Sequence, residues 1–179
     1  MDINKTVLII MDGVGISPKA EGDAVKAAKT PVLDALTAKY PHTAIKAHGT
    51  AVGLPTDKDM GNSEVGHNAL GCGQIYAQGA KLVNESIESG RIFESEVWKE
   101  LIAQVKEHDG TMHFIGLLSD GNVHSNISHL KALIKEAKDE GVKTVRVHAL
   151  LDGRDVPPTS ALGYIQDMEA FFKDVNDEN

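Results

Sequence analysis

The sequence is short of cysteine. Cys72 is its one cysteine, which excludes an internal disulfide and a cysteine-based metal site. A chain with no disulfide is suited to a reducing compartment. We interpret Cys72 as a small packing residue.

Basic residues and long hydrophobic runs are also scarce. Lys and Arg number 18 against 26 Asp and Glu, so the net charge is -8, and no basic cluster offsets it. Such a charge disfavours nucleic acid and anionic membranes as partners. The amino-terminal residues lack a signal-peptide pattern, and the apolar run at residues 7–11 is too short to span a bilayer. We therefore expect a soluble, cytoplasmic protein.

Short apolar runs alternate with amphipathic segments, which is typical of an α/β fold. The 179 residues are 41% hydrophobic, enough to form a core. Residues 6–11 are wholly apolar and predict a strand buried on both faces. In the second half, strand, helix, strand and helix follow in an order that predicts a parallel βαβ unit. The predicted strands are 6–11, 43–47, 112–118 and 145–151, and the predicted helices lie within 23–40, 81–91, 94–107, 126–140 and 160–173.

The character of the chain changes at about Gln78, where a glycine-rich stretch gives way to polar helical sequence. We interpret this change as a boundary between two lobes, residues 1–77 and residues 78–179.

Residues 58–70 contain the most distinctive motif. Gly61 and Asn62 predict a turn, and Ser63 follows at the start of a segment with helical spacing. A helix amino terminus favours an anion such as phosphate, because its N–H groups are free and its dipole end is positive. The alternative is that Ser63 is an ordinary helix cap. His67 could be a ligand, but a lone histidine one turn past a helix start more often hydrogen-bonds to the backbone.

Polar residues follow three apolar strands, each of which ends in Asp-Gly. Asp12 follows the first strand, where a carboxylate is able to bind a hard metal ion, although Asp12 and Gly13 alone could form a simple turn. The loops after the other two strands supply His124, Arg154 and Asp155. Neighbouring parallel strands bring such loops to one crevice, and an arginine fork fits a carboxylate or phosphate.

Two other interpretations of these loops stay open at this point. Arg154 and Asp155 could pair with each other and stiffen their loop. His124 could cap the helix that follows it.

The run Met-Gly-Asn-Ser-Glu-Val-Gly-His at residues 60–67 closely resembles the nucleophile signature of the cofactor-independent phosphoglycerate mutases. The loops Asp-Gly-Asn-Val-His-Ser and Asp-Gly-Arg-Asp-Val-Pro-Pro are similar to substrate-binding segments of the same family. The resemblance implies that Ser63 becomes a phosphoserine intermediate and that Asp12 and Ser63 bind a divalent metal. It also implies that His124, Arg154 and Asp155 contact phosphoglycerate.

The resemblance carries further expectations about the whole enzyme. It implies an alkaline-phosphatase-like lobe followed by a smaller transferase lobe, two divalent ions with Mn²⁺ as the expected metal, and no bisphosphoglycerate requirement. The reaction would interconvert 3-phosphoglycerate and 2-phosphoglycerate in glycolysis and gluconeogenesis. We expect the complete enzyme to be a monomer.

The length of the chain departs from this family, whose members are much longer. We therefore expect an amino-terminal fragment that is inactive alone and able to self-associate. Two rival functions remain: another alkaline-phosphatase-superfamily enzyme, such as a phosphopentomutase or a phosphatase, and a non-catalytic module that binds a ligand or a partner.

Overall fold

The structure is a computed structural model that describes residues 5–11 and 13–176. The chain divides into two compact units, Met1–Ile45 and Lys46–Asn179. This division does not test the lobe boundary between residues 77 and 78, which stays a prediction.

The first unit contains two short helices, α1 (Ala24–Ala27) and α2 (Pro31–Lys39). Thr30 occupies the N-cap position of α2 and Pro31 is its first residue, as the sequence predicted, although the Thr30 side chain makes no capping hydrogen bond. The ring of Pro31 disfavours helical backbone at the residue before it, and Thr30 has φ -118° and ψ 54°. The predicted helical region of residues 23–40 is therefore two helices.

The two strands predicted before residue 48 are wrong. Residues 6–11 and 43–47 form no strand, and Val7, Leu8 and Ile9 are 81%, 82% and 77% exposed. A strand exists only where a neighbouring strand accepts its hydrogen bonds. Within the residues that the structure describes, the sheet consists of two later strands alone, so this apolar run has no partner in it.

The second unit carries most of the regular structure. It begins with a 3₁₀ helix, Gly49–Val52, and continues in the order helix, helix, helix, strand, helix, strand, helix. These elements are α3 (Ser63–Cys72), α4 (Gly79–Glu88), α5 (Glu96–Glu107), β1 (Thr111–Leu118), α6 (Ile127–Asp139), β2 (Thr144–Leu151) and α7 (Ala161–Val175).

The predicted βαβ unit is confirmed. Strands β1 and β2 pair in parallel, in a register that runs from Thr111 opposite Thr144 to Leu118 opposite Leu151. The architecture is therefore α/β with a small parallel sheet. Because the register holds to the last residue of both strands, the loops that follow them leave the sheet side by side.

Helices α5, α6 and α7 pack on one face of this sheet. Two buried clusters form the core: Trp98, Ile102, Met112, Ala137 and Val142 in one, and Leu118, Ile134, Met168 and Phe171 in the other. The indole Nε1 of Trp98 donates to Glu140 Oε1 at 2.7 Å, which joins α5 to the end of α6. None of the helices among the described residues could span a lipid bilayer.

Candidate functional site

The loops after β1 and β2 are joined by a buried hydrogen bond. Ser119 and Asp152 are the first residues beyond the paired strands, and Ser119 Oγ donates to Asp152 Oδ2 at 2.6 Å. Asp152 Oδ1 accepts from the backbone N–H groups of Gly153, Arg154 and Asp155 at 2.7, 2.9 and 3.2 Å. The Ser119 hydroxyl and these N–H groups lower the pKa of Asp152 from 3.8 to about 2. Asp152 is thus an ionised anchor for both loops.

The anchored loops bring His124 and Asp155 into contact. His124 Nδ1 lies 2.6 Å from Asp155 Oδ2, although the residues are 31 positions apart. The His124 side chain is 60% exposed and that of Asp155 is 7% exposed. A carboxylate accepts, so Nδ1 carries the proton and Nε2 is left for a ligand.

The two loops also approach closely at their backbones. A Cβ atom placed on Gly121 would lie 2.7 Å from the Cβ of Asp155. Only a residue without a side chain fits this approach, so the close contact of the loops depends on glycine at position 121.

Arg154 does not pair with Asp155. Its backbone N–H is bonded to Asp152, its side chain is exposed, and no carboxylate among the described residues forms a salt bridge with its guanidinium. The alternative of a loop-stiffening pair of Arg154 and Asp155 is therefore wrong, because Asp155 contacts His124 instead. Arg154 lies directly before Asp155 in the chain, and its exposed guanidinium is a donor group suited to an anion.

Ser63 is the first residue of α3, and the helix is capped by its neighbour. Asn62 has extended backbone, with φ -133° and ψ 177°, and its side-chain oxygen accepts from Val65 N at 3.0 Å. The alternative in which Ser63 is the cap is therefore wrong, since Asn62 fills that role. The Ser63 side chain is exposed at the positive end of α3.

His67 contacts Ser63 one helical turn later. Its Nδ1 lies 2.6 Å from the Ser63 backbone oxygen and 3.1 Å from Ser63 Oγ. The backbone contact predicted for His67 is thus confirmed. A ring nitrogen that donates to this carbonyl has no lone pair for the hydroxyl proton, so His67 in this tautomer is not a base for Ser63.

The segment before Ser63 is tied to the loop after β1. Asp59 Oδ1 accepts from Asn122 Nδ2 at 2.8 Å, and Oδ2 accepts from Thr56 N and Oγ1 at 2.6 and 2.8 Å. Burial raises the pKa of Asp59, but the hydrogen bonds from Asn122 and Thr56 outweigh it and lower the pKa overall. The segments of Ser63 and His124 are therefore connected through Asp59 and Asn122.

A complete metal site is not present among the residues that the structure describes. They contain no group of three or more His, Cys, Asp or Glu side chains placed to hold an ion. Asp12, the predicted metal ligand, lies outside the described residues. Ser63 by itself supplies too few oxygen ligands for a divalent ion.

Sequence reasoning missed the anchors beneath the site. Ser119 and Asp152 each begin a loop that the sequence did predict, and their position directly after an apolar strand was the available signal. Tyr164 of α7 donates its hydroxyl to Asp120 Oδ1, and this bond raises the pKa of Tyr164 to about 12. Its partner is 44 positions away, so no local pattern indicated it.

Comparison with known proteins places the chain in a family. The family model described as BPG-independent PGAM N-terminus matches residues 83–179. The chain is 55% identical over 170 residues to a probable 2,3-bisphosphoglycerate-independent phosphoglycerate mutase of Leptospira interrogans, covering 94% of the chain and 31% of that relative. It is 53% identical over 166 residues to the corresponding mutase of Trypanosoma brucei, covering 92% of the chain and 30% of that relative.

A solved structure shares the fold of most of the chain. The crystal structure of Leishmania mexicana phosphoglycerate mutase at low cobalt concentration matches with a TM-score of 0.82 and 49% identity. The match covers 93% of this chain and 30% of that one. The chain thus spans about a third of the length of the curated relatives it matches.

Proposed function

Because the chain belongs to the BPG-independent PGAM N-terminus family, we propose that it contributes the nucleophile and the substrate-binding loops of a phosphoglycerate mutase. The proposed reaction interconverts 3-phosphoglycerate and 2-phosphoglycerate, a step of glycolysis and gluconeogenesis. The names of the Leptospira and Trypanosoma relatives support this reaction and its independence of 2,3-bisphosphoglycerate.

The observation that carries the proposal is the contact between His124 and Asp155. Arg154, the residue directly before Asp155, has an exposed side chain. His124 would offer Nε2 to the substrate, since Nδ1 is held by Asp155 at 2.6 Å. Arg154 would bind the carboxylate or phosphate of the same molecule through its planar fork. A small dianionic acid matches both groups.

Ser63 is the proposed nucleophile. Its Oγ would take the phosphoryl group from the ester oxygen of the bound acid, and that oxygen would leave as a hydroxyl after gaining the proton that Ser63 loses. The other hydroxyl of the acid would then take the group back and lose its proton, and Ser63 would regain one. Asp155 is the proposed acceptor of the hydroxyl proton: His124 occupies its Oδ2, and Oδ1 accepts no hydrogen bond among the described residues. Transfer back to the acid must outrun transfer to water, which requires a site that excludes solvent.

Asp12 and Ser63 are the proposed contributors to a divalent metal site, with two ions in all and Mn²⁺ as the expected metal. A bound divalent ion would make the Ser63 hydroxyl a stronger nucleophile. The described residues do not complete such a site, so further ligands must come from elsewhere. The crystal structure of the Leishmania relative was determined at low cobalt concentration, which supports the proposal of a divalent metal.

The proposed arrangement has two lobes, an alkaline-phosphatase-like part in residues 1–77 and a transferase part in residues 78–179. Hinged closure near residue 77 would exclude water from the transferred group. We further propose a cytoplasmic monomer that acts on a small molecule and has neither nucleic acid nor membrane as a partner. The net charge of -8 supports the last point.

The test is an isomerisation and labelling experiment on the protein as isolated from its source, with the 179-residue chain assayed beside it. Each sample receives 3-phosphoglycerate with a labelled phosphate, with and without Mn²⁺. In the protein isolated from its source and supplied with Mn²⁺, we expect 2-phosphoglycerate to form and label to appear on the Ser63 peptide in mass spectrometry. The 179-residue chain alone should show neither. Ser63→Ala should abolish both signals.

Ser95→Ala is the matched control, because Ser95 also lies at a helix start, where its side chain accepts from Trp98 N and caps α5. It should retain both activities. Isomerisation that persists in Ser63→Ala would refute the nucleophile, and transfer to pentose phosphates instead of phosphoglycerate would favour a phosphopentomutase.

A further inference from the structure

Gln78 is a buried amide at the start of α4. It is 5% exposed, and its side chain makes three hydrogen bonds to residues distant in sequence. Nε2 donates to Val52 O at 3.0 Å and to Val65 O at 3.3 Å, while Oε1 accepts from Asn68 Nδ2 at 3.0 Å. Both amide protons and the amide oxygen are therefore satisfied inside the protein.

These bonds join three segments of the chain. Val52 ends the 3₁₀ helix, Val65 and Asn68 lie in α3, and Gln78 itself caps α4. The Gln78 backbone N–H donates to Gly53 O at 3.1 Å, which adds a second contact between Gln78 and the end of the 3₁₀ helix. Helix α3 and the beginning of α4 are thereby held to one another.

Helix α3 has little apolar packing of its own. Val65 is the one buried residue among its ten, and it packs with Val52 and Leu54 in a cluster of three. Three aliphatic side chains hold a helix weakly, so the polar contacts carry much of its position. Ser63 is two residues before Val65, whose carbonyl oxygen Gln78 contacts directly.

From this geometry we propose that Gln78 is a positioning residue for Ser63. It acts through the backbone of α3 and touches no reacting atom. The inference rests on the function proposed above for Ser63. Without the amide of Gln78, the carbonyl oxygens of Val52 and Val65 lose a donor and α3 moves relative to the substrate loops.

Two variants separate hydrogen bonding from packing. Gln78→Met keeps the length and volume of the side chain but removes both donors. Gln78→Glu keeps its shape but turns a carboxylate oxygen toward two carbonyl oxygens. Ile102→Val is the matched control, because it weakens the buried cluster around Trp98 without touching α3.

Amide hydrogen exchange provides a measurement that does not depend on activity. In Gln78→Met and Gln78→Glu, the amides of α3 should exchange about tenfold faster, because local opening of the helix becomes easier. Exchange in α3 should be unchanged in Ile102→Val. Unchanged exchange in both Gln78 variants would overturn the inference, whether or not the protein is a mutase.

Kinetics then separates positioning from a general structural role. A misplaced nucleophile should lower kcat about 10- to 100-fold. The KM for phosphoglycerate should stay within about twofold, since the loops of His124 and Arg154 are not altered. A wild-type protein, as isolated from its source, with no mutase activity would refute the proposed function, and the exchange data would still decide the role of Gln78. An active wild type with unchanged kcat in both Gln78 variants would refute the positioning role.

Discussion

Replacing Ser119 by alanine tests the anchor beneath the two loops. Ser119 is 1% exposed, and its hydroxyl donates to the ionised Asp152 and accepts from Gly121 N at 3.1 Å. A hydrogen bond to a charged group contributes about 1.5–3 kcal/mol, so Ser119→Ala should lower the free energy of unfolding by about that amount. At this chain size the thermal midpoint should fall by about 3–12 °C.

The effect should depend on pH in a defined direction. The pKa of Asp152 is lowered from 3.8 to about 2 in the folded protein, so the unfolded chain takes up the proton first as pH falls. The stabilisation from this carboxylate is complete above pH 3.8 and is lost as pH falls through 2. The difference between wild type and Ser119→Ala should therefore be largest above about pH 4 and shrink toward pH 2.

Urea unfolding at several pH values measures this difference. Ser128→Ala is the matched control, because Ser128 Oγ donates to the neutral Asn126 Oδ1 at 2.6 Å and the residue is exposed. Its effect should be small and independent of pH in the same range. Two results would show that Asp152 is not the anchor described. One is equal stability of Ser119→Ala and wild type at neutral pH, and the other is a stability difference that does not shrink between pH 4 and 2.

Three further predictions concern Gly53, the cap of α3 and the half-buried His129, each measured by urea unfolding. Gly53→Ala should lower the free energy of unfolding more than Gly73→Ala does. Gly53 has φ 84°, and a Cβ added there would lie 1.8 Å from Tyr76 O. Gly73 has φ 63° but open space around it, so we expect Gly73→Ala to cost about 1–2 kcal/mol. Equal losses would contradict the close approach. Asn62→Ala should lower the free energy of unfolding by about 0.5–2 kcal/mol through loss of the cap, and no change would argue against it. Burial lowers the pKa of His129 below 6.5, so wild-type stability should fall as pH drops through that value, and His129→Gln should remove this part of the loss. A pH dependence that is the same in both proteins would contradict it.

The second half of the fold was predictable because its signals are local. Helix α6 shows the apolar period of a helix, and Gly141, with φ 86°, lies just beyond its end as the sequence indicated. Strands β1 and β2 are short apolar runs separated by that helix, which leaves parallel pairing as the simple arrangement. The residues 6–11 carry an equally apolar pattern, yet they form no strand, because pairing depends on a partner that a local pattern does not contain.

The sequence indicated which loops form the candidate site but not which side chains in them contact each other. His124, Arg154 and Asp155 follow strand ends, and that position alone suggested a shared crevice. The contact of Asp155 with His124 joins residues 31 positions apart, and the only pairing that the sequence suggested for Asp155 was with its neighbour Arg154. The hydrogen bonds of Gln78 could not be predicted for the same reason, since its partners lie 10 to 26 positions away.

The matched ends of β1 and β2 restrict which changes in chain length the protein tolerates. Ser119 meets Asp152 because Leu118 is aligned with Leu151. A single residue inserted in one strand would turn its following side chains to the opposite side of the sheet and break that meeting. A residue inserted beyond position 155 would leave the contact of Ser119 with Asp152 intact. Differences in length among natural relatives should therefore occur after residue 155 and not within β1 or β2.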